Sequence, residues 1–203
     1  MSKKNELLSA YGYAESVMDS KNYLEKYFVP DEEYLAYADS VMSEVFDLNA
    51  KFPDFVFKHS FFLTLKGGAL FTFKDLEKIK ECMRRTGDTC FLVFEDYDEL
   101  SPPHSSGPAL RFKYPNNIEW ELMCINDGIS YELFKRPIRN FYVFGNTGKW
   151  GRYVANDSET PLDIFGFDKE FRGVFEHNYN DPIIGQNEIL EWLPPAYKEK
   201  LAR

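Results

Sequence analysis

Glu95, Asp96, Asp98 and Glu99 put four carboxylates into five residues, the densest group of candidate ligands or acid–base groups in the chain. Hard cations favour such oxygen clusters, yet the D-x-D-x-D-G order of a calcium loop is missing. The other reading is a solvated acidic loop. His59, His104 and His177 have no histidine partner three or four residues away, so no zinc spacing occurs. Cys82, Cys90 and Cys124 contain no C-x-x-C pair and read as core or boundary cysteines. Ser105-Ser106-Gly107 is not the G-x-S-x-G elbow of a serine nucleophile. Gly145, Gly148 and Gly151 recur every third residue with Lys149 among them, but match neither phosphate-loop spacing and precede no helix. They read as a β-turn or bulge. No catalytic residue, metal site or cofactor is therefore assigned. An enzyme remains the alternative, with Glu95, Asp96, Asp98, His104 and His177 as its candidate groups, and it requires them to share a cleft.

Binding offers a second kind of candidate. Trp150 lies between Lys149 and Arg152 in the Gly-rich stretch, with Tyr142 on the preceding strand. Exposed Trp, Tyr and Arg dominate interface hot spots. Trp150, Tyr142 and Arg152, together with the acids Asp96, Asp98 and Glu99, are the expected contact residues. The competing reading has Trp150 packing on its own hairpin.

The elements that position these residues follow from periodicity. Residues 3–19 read as a weak helix interrupted by Gly12. Asp31-Glu32-Glu33 opens a stronger one, with acids where the helix dipole favours them. Its apolar stripe runs Tyr34, Ala38, Val41, Met42, Val45 and Phe46. From Phe55 to Leu65 the period switches to two, a strand, and Lys66-Gly67-Gly68-Ala69 signals a hairpin returning through Leu70 to Phe73. A helix then carries Leu76, Ile79 and Met83 inward and stops at Gly87. Cys90 to Phe94 is apolar throughout, as a central strand is. Residues 96–109 form a loop, and Leu110, Phe112 and Tyr114 resume alternation. Short helices are expected over Ile118–Ile125 and Ser130–Lys135. Strands are expected at Phe141–Phe144, Tyr153-Val154 and Leu162–Phe167, and helices over Asp168–Asn178 and Asn187–Leu193, the last stopping at Pro194-Pro195. Strict strand–helix alternation is absent, so the fold class is α+β: N-terminal helices followed by a mixed, mainly antiparallel sheet with helices packed on one face. The division is an N-terminal helical subregion, residues 1–50, and a single α+β domain, 51–203. At 203 residues the chain buries a sizeable core without disulfides.

From Pro115 to His177 the order of features resembles the SUKH superfamily of bacterial immunity-type proteins. The carrying residues are Pro115, the helix ending in Asn126-Asp127-Gly128, and Phe141-Tyr142-Val143-Phe144-Gly145-Asn146-Thr147-Gly148-Lys149-Trp150-Gly151-Arg152-Tyr153-Val154. Here Asp127 separates the Asn from the Gly, and the family's acidic residue in the turn is missing. The resemblance implies an α+β fold and no catalysis. It also implies a cognate toxin, often a nuclease, bound by acidic surface complementarity.

Charge agrees with that direction. Lys and Arg total 24 against 33 Asp and Glu, a net charge of −9, and residues 1–54 alone carry −6. Polyanion binding needs a basic stripe, so nucleic acid is not an expected partner, and a basic protein is. No apolar run approaches the 18 residues of a membrane span. Three cysteines without a pairing pattern fit a reducing, cytoplasmic compartment. The expected function is an acidic protein-interaction module, immunity- or antitoxin-like, acting on a basic protein. Oligomeric state is not legible.

Overall fold

The computed structural model describes residues 14–67, 72–96, 110–123, 140–155, 162–179 and 186–201. Among them, β1 (Phe62–Gly67), β2 (Cys90–Glu95), β3 (Arg111–Pro115), β4 (Asn140–Gly145), β5 (Trp150–Ala155) and β6 (Leu162–Phe167) form one sheet. Its order is β1-β6-β5-β4-β2-β3, and every neighbouring pair is antiparallel. The class is α+β.

The helices of the described residues are α1 (Ala14–Tyr27), α2 (Asp31–Tyr37), α3 (Ser43–Val45), α4 (Phe73–Thr86), α5 (Arg172–Tyr179), α6 (Gln186–Trp192) and α7 (Pro195–Lys200). The longer helices α1, α4 and α5 pack on one face. There Leu24, Leu76, Ile79 and Phe175 meet Phe91, Val93, Phe112, Val143, Trp150 and Phe167. The second face is covered too. Val45, Phe46 and Phe57, with Ile189, Leu193 and Tyr197, meet Leu92, Phe94, Phe144, Tyr153 and Ile164. Side chains alternate across a strand, so β2 and β4 bury both sets, which explains why Cys90 to Phe94 reads as unbroken apolar sequence.

Helix α4 shows how local chemistry fixes an element. Thr72 caps it, with the Thr72 hydroxyl accepting from Asp75 N–H while Asp75 accepts from Thr72 N–H at 2.7 Å. Gly87 ends it in the left-handed conformation at φ +81°. Leu76, Ile79 and Met83 face inward as expected.

Elsewhere the tertiary structure overrides the pattern. The helix expected from Asp31 is broken: α2 gives way to a π-helical turn, Ala38–Met42, before α3. The period-two run from Phe55 becomes strand only at Phe62. Phe57 instead forms a lone bridge to Phe46. The expected hairpin is absent at its described end: β1 pairs with β6, and Phe73 opens α4 rather than ending a return strand. Gly68 to Phe71 lie outside the described residues, as do Ser130–Lys135. Over 118–123 only a 3₁₀ turn, Trp120–Leu122, forms. The helix α6 stops at Trp192, just before Pro194-Pro195, as expected. Pro195 starts α7, because proline's fixed φ suits a helix's first position.

Residues 14–45 are part of the same packing. α1 lies on the first face, the Phe28–Val29 segment crosses the outer edge of β3, and α2 continues on the second. Val29 N–H donates to Arg111 C=O at 3.0 Å, and Phe28 bridges Phe112. The Tyr23 and Tyr114 hydroxyls share a hydrogen bond of 2.6 Å that ties α1 to β3. No helix among the described residues is long and apolar enough to cross a membrane.

Candidate functional site

The side chains expected to meet a partner are mostly interior. Trp150 is fully buried. The turn between β4 and β5 is shorter than the glycine spacing suggests, so Trp150 is already a strand residue pointing into the first core, 5.9 Å from the Phe175 ring. Its indole N–H donates to Asp88 at 2.8 Å. The same carboxylate accepts Thr147 N–H at 2.7 Å and the Thr86 hydroxyl. Asn146 Oδ1 accepts the N–H groups of Thr89 and Cys90. Asp88 and Asn146 thus lock the turn to the start of β2, and Gly148, at φ +70°, completes it.

Arg152 is also fully buried, forming a bidentate pair with Asp163 on β6. The expectation of an exposed Trp150–Arg152 contact surface is therefore corrected. A strand between two covered faces has no side that meets water.

Tyr142 is 8% exposed. It is brought together with Asp96, the one acid of the expected set among the described residues. Tyr153 donates to Asp96 Oδ2 at 2.8 Å, and the Tyr142 hydroxyl also bonds this carboxylate. Burial first, and the Asp96 charge second, hold both phenols protonated well above the ordinary tyrosine range. This cluster of two buried phenols and a half-buried carboxylate closes the end of the second core. Asp98, Glu99 and His104 lie outside the described residues. His177 is exposed on α5 over the first face, whereas Asp96 is bonded by tyrosines of the second core, so the sheet separates them. Glu95 accepts Leu110 N–H at 2.8 Å. Among the described residues no group of three or more His, Cys, Asp and Glu is placed to hold a metal.

An accessible concavity among the described residues lies elsewhere, in the crook where the chain folds around the β3 edge. It measures about 990 Å³. One wall is the last turn of α1, Leu24 to Tyr27. Phe28, Val29 and Pro30 form the crossing, and Asp31, Glu32 and Glu33 begin α2. Opposite stand Thr89 and Cys90, with Lys113 and Pro115 of β3. The lining sets apolar residues, of which Leu24, Tyr27 and Val29 are buried and Pro30 and Pro115 exposed, beside four carboxylates and the ammonium groups of Lys26 and Lys113.

The rim is partly organised by the strand. Asp31 pairs with Arg111 at 2.9 Å, and Arg111 lies over the Tyr34 ring. Glu33 accepts from Lys113 at 2.9 Å. Hydrogen bonds to Tyr37 and Glu33 hold the Lys113 ammonium above the usual lysine value. Cys90 is half-buried in the opposite wall, and desolvation raises its thiol above the ordinary value, so it is a neutral thiol at pH 7.

Sequence reasoning read Asp31-Glu32-Glu33 only as a helix start. The signal that could have marked it is the apolar Tyr27-Phe28-Val29-Pro30 immediately before the acids. What the sequence lacks is the pairing of that segment with β3, more than 80 residues on. In comparisons with family models, with curated proteins and with solved structures, nothing matches this chain.

Proposed function

We propose that this protein acts by binding a basic protein partner. The observation that carries the reading is how charge divides between inside and outside. The buried ionisable groups Asp88, Arg152 and Asp163 are bonded within the fold. On the surface between residues 21 and 54, Glu25, Asp31, Glu32, Asp39, Glu44 and Asp54 are exposed against Lys21, Lys26 and Lys51. Such a field repels polyanions and accelerates encounter with a basic protein. The SUKH resemblance suggests the partner's class, a toxin, often a nuclease, bound by acidic surface complementarity. Free thiols at Cys82 and Cys90 fit a reducing cytoplasm as the place of action.

The test is capture from native lysate at low and moderate salt, with wild-type protein and with Glu25→Lys/Glu32→Lys side by side. One stoichiometric basic protein is expected, lost as salt screens the contact and lost in the variant. Capture that ignores both salt and charge reversal would remove the reading.

A further inference from the structure

We draw no further inference here: the strongest candidate, the concavity of about 990 Å³ at the β3 edge, has its Tyr27 and Val29 side chains buried in the two cores and its Asp31 and Glu33 carboxylates paired with Arg111 and Lys113, and nothing in the structure shows what covers it.

Discussion

At the β4–β5 turn and at the β3 edge the protein uses the same vocabulary of acid, base and aromatic residues, with opposite results. Under the turn, the Asp88 carboxylate faces three donors, from Thr86, Thr147 and Trp150, and is 5% exposed. Nearby, Arg152 and Asp163 satisfy each other in the core. At the edge, Glu25 and Glu32 are exposed beside the groove. A carboxylate enclosed by its own donors has exchanged water for protein and has little left to offer a partner. One on a rim is still solvated and can make that exchange on binding. The difference lies in enclosure, which residue type does not reveal.

The comparison is sharpest at the buried ion pair. Asp163→Ala leaves the Arg152 guanidinium buried without its principal counter-ion and should cost about 3–5 kcal/mol in urea unfolding. The double change Arg152→Met/Asp163→Leu should recover most of that, since an apolar pair of similar volume needs no counter-charge. A single change that leaves the urea midpoint in place would mean the pair is solvated and the two regions are not different in kind.

Trp150→Ala comes next. A buried Trp truncation should cost about 3–5 kcal/mol, falling toward the lower figure if water enters to bond Asp88. An exposed contact residue would cost almost nothing in stability, so the melting temperature alone separates the two roles. Gly148→Ala should cost about 1–2 kcal/mol, because its φ is +70° and the added Cβ meets the Glu44 side chain. Glu25→Lys/Glu32→Lys marks the small end: stability should stay within about 0.5 kcal/mol while capture of the basic partner is lost. A large destabilisation there would place those glutamates in the framework and take them out of the binding rim.

Much of the framework is legible in the sequence because it is local or periodic. Gly87 ends α4 by capping chemistry that acts within a few residues, whereas Thr72, which reads as part of a return strand, is its N-cap. The runs at Cys90–Phe94 and Phe141–Phe144 announce strands covered on both sides. The failures were also physical. Lys66-Gly67-Gly68 has the chemistry of a hairpin turn, yet β1 finds its partner in β6 nearly a hundred residues later, and a local turn propensity is worth less than a buried ladder. The stripe from Tyr34 to Phe46 is helical in period, but it must bend over the second face, and a π turn absorbs the bend.

For the candidate site the balance shifts further. Composition by itself determined that the chain is acidic, that the acid is concentrated toward its N-terminus, and that no metal or nucleophile spacing is written in it. These are sums and short-range spacings, which need no fold. Only the tertiary structure decided which charges face water. Trp150 and Arg152 are consumed by Asp88 and Asp163, while the unremarkable stretch from Leu24 to Glu33 becomes the wall of a groove because it wraps an edge strand. Burial and edge position arise from contacts between residues far apart in the chain, and no local pattern of residue types records them.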